Sequence, residues 1–164
     1  MESKLPSMLP AMTRGSIVLV GSLPVENLAL DLLFAEFDWA IENAPSLDGL
    51  AKLNRKRNLV AVLFNPQDLA LPWEKALQSV LHAAPRALPV LCHGFADRID
   101  WPQVAESVAF HSLLLPFRES EFRHTLGFIS GAKRSSSRIQ MHHRLQLRKP
   151  VMNAPQARAA GIGA

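Results

Sequence analysis

Residues 59–66 read LVAVLFNP, six apolar residues followed by Asn65 and Pro66. A continuous apolar run of this length, closed by a turn signal, predicts a strand that is buried on both faces. The chain contains other segments of the same kind. Four of them are predicted as further strands: SIVLV (16–20), DWAIE (38–42), LPVLC (88–92) and AFHSLLL (109–115).

Helical spacing of apolar residues follows each predicted strand. The predicted helices are ENLALDLLFAEF (26–37), LDGLAKLNRKR (47–57), WEKALQSVLHAA (73–84), WPQVAESV (101–108) and ESEFRHTLGFI (119–129). The last helix is expected to end near Ser130–Gly131. This repeated β-α order predicts a single open α/β domain over residues 14–131, with a parallel sheet covered by helices on both faces.

The composition of the chain is that of an ordinary globular protein. It has 164 residues, 48% hydrophobic and 20% charged, which suffices for one core. No apolar run approaches the roughly 18–20 residues that span a bilayer, and the N-terminus does not resemble a secretory signal. The single cysteine, Cys92, excludes an internal disulfide and predicts a reducing, cytoplasmic environment with no membrane partner.

Positive charge is concentrated at the C-terminus. Residues 131–164 contain no acid and seven basic residues, whereas residues 1–130 contain 11 basic and 14 acidic residues. We predict a flexible N-terminus at 1–13 and a basic, flexible tail or linker at 132–164. A basic tail can make weak, non-specific contact with nucleic acid, but a solvated linker is the favoured interpretation because the tail lacks aromatic residues. The basic residues are Lys133, Arg134, Arg138, Arg144, Arg148, Lys149 and Arg158.

In an open parallel sheet, ligands and catalytic groups collect beyond the carboxyl ends of the strands. The residues that follow the predicted strands are therefore the candidate site. They are Gly21, Ser22, Asn65, His93, Gly94 and Leu115.

Three of the strand segments carry a resemblance to a known family. LVAVLFNP as third strand, LPVLCHG as fourth and LLLPF at the end of the fifth resemble a response-regulator receiver domain. The resemblance covers about residues 14–130 and implies a flavodoxin-like sheet of strand order 2-1-3-4-5. Within the family, LPVLCHGFADRIDWPQVAESV and LLLPFRESEFRHTL are similar to the N-terminal domain of FleQ-type flagellar regulators. Those sigma-54-dependent transcription activators lack the phosphoacceptor aspartate.

The resemblance implies that the phosphorylation site is degenerate. Gly21 and Ser22 stand in place of the acidic pair that holds magnesium, and Asn65 stands in place of the nucleophilic aspartate. Leu115 replaces the lysine, and the hydroxyl-bearing position falls at His93 or Gly94. We therefore expect no phosphorylation, no metal, no cofactor and no catalytic residue.

This crevice is also expected to hold no clustered negative charge. Asp68, the acid closest to Asn65, is expected to cap a helix.

The resemblance also implies an interaction face formed by the fourth helix, fifth strand and fifth helix, placed here at residues 101–129. A homodimer is the default partner; a full-length transcription regulator or another motility regulatory protein is the other. Because aromatic residues and arginine dominate interface energetics, five candidates stand out, although some of the aromatic ones must belong to the core. They are Trp101, Phe117, Phe122, Arg123 and Phe128.

Other interpretations remain open at this point. Asn65 serves equally well as a cap of the turn before Pro66, and Cys92 is more simply a small buried hydrophobe. A flavodoxin-like or hydrolase enzyme would need a grouping such as Ser22–His93–Asp97, which no spacing specifies. The chain has no G-x-x-x-x-G-K-[ST], so it is expected to be either an excised domain or a free-standing relative of the longer regulators.

Overall fold

The computed structural model describes residues 14–23, 33, 35–97, 99–107, 109 and 111–147, with only the backbone of residues 139 and 141–147. The strands are β1 Gly15–Val20, β2 Trp39–Ala44, β3 Leu59–Phe64, β4 Leu88–His93 and β5 His111–Leu114. The helices are α1 Leu47–Lys56, α2 Trp73–Ala83, α3 Trp101–Glu106 and α4 Glu119–Leu147.

The strands form one parallel sheet in the order β2-β1-β3-β4-β5. At its centre, Ile17 of β1 pairs with Ile41 of β2 on one side and with Ala61 of β3 on the other. The chain crosses from β1 to β2 and then returns past β1 to β3, so the strand order reverses beside β1. The predicted fold class and strand order are confirmed.

Each face of the sheet contributes to a separate apolar cluster. On one face, Ile17 and Leu63 pack with Leu33 and with Phe122 of α4. On the other, Val18 and Val62 pack against helices α1, α2 and α3 through four buried side chains. These are Leu50, Leu77, Val80 and Val104. Helices therefore cover both faces, as alternate strand residues require.

The predicted central strands agree closely with the structure, and the edge strands agree less well. β1 and β3 are buried at every position, because both of their faces are covered. β2 begins at Trp39, since Asp38 has a positive φ of 57° that ends the preceding turn. β5 spans only His111–Leu114, shorter than the apolar run that predicted it.

The predicted end of the last helix is wrong. Helix α4 continues through Ser130–Gly131 to Leu147. A glycine inside a helix costs only about 1 kcal/mol relative to alanine, and no proline occurs between Pro116 and Pro150. The described residues nonetheless fall into two compact units that divide between Lys133 and Arg134.

Local signals explain two of the helix starts. The Ser46 hydroxyl accepts a hydrogen bond from the Gly49 N–H (3.2 Å) at the start of α1. At the start of α3, the Asp100 carboxylate accepts one from the Gln103 N–H (3.3 Å). Both side chains satisfy N–H groups that have no partner within the helix.

Some sequence-based expectations lie outside the described residues. These are the segment 1–13, most of the helix predicted over 26–37, and the tail beyond 147. Among the described helices, none is both long enough and apolar enough to cross a bilayer.

Candidate functional site at the carboxyl end of the sheet

Gly21, directly after β1, has a backbone conformation that requires glycine. Its φ is +84°, in the left-handed region that other residues rarely adopt. A Cβ placed on Gly21 would lie 2.8 Å from both Cβ and Oδ2 of Asp68. Glycine therefore permits both the turn after β1 and the close approach of the loop that follows β3.

Asp68 joins the loops that follow β1 and β3. Its Oδ2 accepts a hydrogen bond from the Ser22 N–H (3.1 Å). The expectation that Asp68 caps a helix is wrong, because α2 begins five residues later at Trp73 and is preceded by Pro72. The carboxylate instead lies at the crevice where the strand order reverses.

Asn65, directly after β3, forms a local turn. Its Oδ1 accepts a hydrogen bond from the Gln67 N–H (3.1 Å), and its backbone carbonyl accepts one from the Asp68 N–H (3.1 Å). This is the pattern by which asparagine side chains stabilise turns. The interpretation of Asn65 as a turn cap is confirmed.

The loop after β4 is held by a second carboxylate, Asp97. Its Oδ2 accepts a hydrogen bond from the Gly94 N–H (2.6 Å), and its Oδ1 accepts one from the Gln67 side-chain amide. Since Gln67 belongs to the loop after β3, Asp97 connects two neighbouring loops. A chain of internal hydrogen bonds therefore runs across the carboxyl ends of β1, β3 and β4.

His93 and Leu115 complete this end of the sheet on its β5 side. The Leu115 N–H donates to the His93 carbonyl (2.7 Å), and the Leu115 side chain packs against the core. The His93 imidazole is largely buried and lies edge-on to the indole of Trp101, with ring centroids 4.7 Å apart. An apolar side chain thus stands where the resemblance implies a cation.

The crevice was expected to hold no clustered negative charge, and the structure places two carboxylates there, Asp68 and Asp97. Each carboxylate, however, is bonded to a backbone N–H. Among the described residues, no group of three or more His, Cys, Asp or Glu is arranged to hold a metal ion.

The described contacts do not assemble the Ser22–His93–Asp97 grouping. Asp97 is bonded to Gly94 and Gln67, and the His93 ring contacts Trp101. Ser22 takes part through its backbone N–H, which donates to Asp68. The geometry that a nucleophile, base and orienting acid would need is absent from these contacts.

Cys92 is fully buried in β4. Burial raises the pKa of its thiol far above the usual range, because the thiolate would have to lose its hydration. The interpretation of Cys92 as a small buried hydrophobe is confirmed.

The candidate interaction residues separate into two groups. Phe117 and Phe122 lie in the core, 8% and 0% exposed, so their assignment as surface anchors is wrong: their rings, 5.3 Å apart, fill the face of the sheet beneath α4. Trp101 and Phe128 are 46% and 60% exposed. The Arg123 guanidinium is exposed but bonded within the chain.

Arg123 donates to the carboxylate of Glu36 (2.6 Å) and to that of Glu119 (3.2 Å). These ion pairs link α4 to the turn before β2. Arg123 would therefore have to exchange these intramolecular ion pairs for contacts with a partner.

Phe95 is an exposed aromatic residue that sequence reasoning missed. It lies in the loop after β4 and is 88% exposed. The signal available in the sequence was a large apolar residue within the polar loop segment HGFADRID. The exposed large hydrophobic residues among those described are Phe95, Trp101 and Phe128.

A shallow groove of about 670 Å³ lies between α1 and α2. Its rim includes Asp48, Arg55, Gln78 and His82. None of the residues that follow the strands lines it.

Comparison with known proteins supports the fold. No protein-family model and no curated protein sequence matches the chain. Among solved structures, a receiver domain from Clostridium thermocellum matches with a TM-score of 0.57 and 14% identity, covering 73% of this chain and 97% of that one. A signal receiver domain of a putative LuxO repressor from Vibrio parahaemolyticus matches with 0.60 and 8%, covering 77% and 97%.

A third structure was solved with a metal ion. The receiver domain of a sensor histidine kinase from Pseudomonas aeruginosa matches with a TM-score of 0.54 and 15% identity, covering 71% of this chain and 98% of that one. It was solved with a magnesium ion coordinated in its active-site cleft. The chain therefore has the receiver fold.

Proposed function

We propose that the chain is a pseudo-receiver, a regulatory module that acts through protein contacts without being phosphorylated. The observation that supports it is the state of the crevice: a neutral amide at Asn65, and two carboxylates already bonded to backbone N–H groups. From the sequence resemblance to FleQ-type regulators, we propose a role in the control of flagellar or motility gene transcription, in the cytoplasm.

The chemistry of phosphoryl transfer supports this proposal. An acyl phosphate requires a carboxylate nucleophile, and the amide of Asn65 cannot form one. Charge on the transferring group must be neutralised by a metal or a cation, and Leu115 brings none. Asp68 lies three residues beyond Asn65, in the loop and not at the strand end, and its Oδ2 accepts a hydrogen bond from the Ser22 N–H.

The intact mass of the protein tests this directly. After incubation with acetyl phosphate and Mg²⁺, we expect no gain of a phosphoryl group, while a phosphorylatable receiver treated in parallel gains one. Asn65→Asp should also stay unmodified, because a nucleophile alone restores neither the metal ligands nor the cation. Stoichiometric modification of the unaltered chain that Asp68→Asn abolishes would identify Asp68 as an acceptor and overturn the proposal.

The exposed aromatic side chains support a contact-based output. Phe95 lies in the loop after β4, Trp101 is the first residue of α3, and Phe128 lies on α4 against His111 of β5 (ring centroids 5.5 Å apart). Exposed aromatic residues are the commonest interface anchors. We propose a homodimer, or a complex with a full-length motility regulator, formed through this exposed aromatic set.

Sedimentation velocity tests the homodimer. We expect a concentration-dependent dimer that Trp101→Ala/Phe128→Ala weakens at least about tenfold, since each anchor contributes upwards of 1–2 kcal/mol. The control is Gln78→Ala/His82→Ala on exposed positions of α2. A dimer that both double variants weaken equally would show that the aromatic set is not the interface.

A further inference from the structure

The helical residues 134–147 form the part of α4 that belongs to the second unit. They contain no acidic residue, and the last acid in the sequence is Glu121. The side chains of Arg134 and Arg138 are exposed. A solvated linker was the favoured interpretation of the basic tail. In the structure, the tail begins as a helix whose charged residues are all basic, and we call residues 134–147 the basic helix.

We propose that the basic helix binds the phosphate backbone of duplex nucleic acid without reading its sequence. This function goes beyond contact-based regulation and does not depend on the crevice. Backbone binding of this kind is electrostatic, because the protein's cations release the counterions condensed on the nucleic acid.

The spacing of the donors suits a row of phosphates. Arg134 and Arg138 are one helical turn apart, about 6 Å along the axis, and lie on the same side of the helix. Residues 134–147 span about 20 Å, which is long enough to follow several phosphates of a strand that rises about 3.4 Å per nucleotide.

The composition of the basic helix disfavours the other anionic partners. Binding at a lipid surface needs an apolar helical face, and the apolar residues of the basic helix, Ile139, Met141, Leu145 and Leu147, are not spaced to share one face. Aromatic residues are common anchors of protein interfaces, and the basic helix has no Phe, Trp or Tyr, since Phe128 is the last of these in the chain. The same lack removes base stacking, on which single-strand binding depends, so duplex backbone is the class that fits.

Fluorescence anisotropy with a labelled 30-base-pair duplex tests the proposal. For the full chain, we expect affinity that falls linearly with salt on logarithmic axes and is equal for duplexes of unrelated sequence. Arg134→Ala/Arg138→Ala should make that slope shallower by about 1.8, since each lost phosphate contact accounts for about 0.9. Circular dichroism would verify that the variant keeps its helix.

The chain offers a matched control in Lys52→Ala/Lys56→Ala. These two lysines are also exposed and four residues apart on a helix, α1. The control removes the same charge and should leave the slope unchanged. An equal decrease of the salt slope in both double variants would show that binding depends only on net charge, and would overturn the proposal. Polyglutamate or anionic vesicles competing as well as unlabelled duplex would overturn it too, as would no salt-dependent binding at all.

Discussion

The carboxyl end of the sheet and the exposed aromatic set differ in how far their side chains are engaged by contacts within the chain. At the carboxyl end, the polar groups of Asn65, Asp68 and Asp97 are bonded to neighbouring backbone N–H groups. In the aromatic set, Phe95 and Phe128 leave most of their apolar surface in water. The polar groups of the first region therefore have hydrogen-bond partners within the chain, whereas the second region leaves apolar surface exposed that a partner protein could cover.

This difference indicates where the molecule can interact. At the carboxyl end, Asp68 Oδ2 and Asp97 Oδ2 already accept hydrogen bonds from backbone N–H groups, so an incoming ion would compete with those bonds for the same oxygens. Exposed aromatic surface gains free energy when a partner covers it. A shared fold therefore does not by itself imply a shared chemistry, since function depends on the side chains at a site.

The largest expected effect separates core aromatic residues from exposed ones. Phe122→Ala should reduce the free energy of unfolding by about 3–5 kcal/mol, because Phe122 is fully buried and the change leaves a cavity. Phe128→Ala, on the same helix, should change it by about 0.5 kcal/mol or less. Urea denaturation measures both. Similar losses would mean that Phe128 is packed and not available to a partner.

A smaller effect is expected at the crevice itself. Gly21→Ala should cost about 1–3 kcal/mol, because the new Cβ would strain the positive φ and collide with Asp68. The control is Gly127→Ala in α4, where a Cβ meets nothing within 4 Å. That change should stabilise the protein by about 0.5–1 kcal/mol. A neutral Gly21→Ala would show that Asp68 does not approach the turn after β1.

The smallest effect concerns His111, whose ring contacts Phe128. Partial burial lowers the pKa of His111 below its usual 6.5, so the unfolded chain binds a proton that the folded chain does not. Stability should therefore fall as the pH drops below about 6.5. His111→Gln should reduce this slope, whereas Gln78→Ala on α2, which removes no titratable group, should not. Thermal melts between pH 5 and 8 measure the slope. An unchanged slope in His111→Gln would mean that His111 is not partly buried in the folded chain.

Sequence patterns predicted the central part of the fold because burial there leaves a direct signature. β3 was predicted with the bounds it has, since both of its faces are covered and every residue is apolar. At the edge, Leu115 packs against the core just beyond the last residue of β5, so the apolar run overestimated the length of that strand. Gly131 does not end helix α4, because the free-energy cost of a glycine inside a helix is small.

The chemistry of the site was less accessible to sequence reasoning. The residue types after each strand identified Asn65 and Leu115, but the contact between Asp68 and Ser22 joins positions 46 residues apart. No local pattern encodes such a contact. Likewise, Phe117, Phe122 and Phe128 look alike in sequence, and only their positions on the folded helix and sheet distinguish core from surface.

The backbone amides of Ser22 and Gly94 provide the most direct test of an internally satisfied crevice. Their NMR resonances would be followed as Mg²⁺ and beryllofluoride, a phosphoryl mimic, are added to the folded chain. The account predicts no shift beyond that of exposed amides in α1, because Asp68 and Asp97 keep those N–H groups. Saturable, magnesium-dependent shifts at both amides would contradict it.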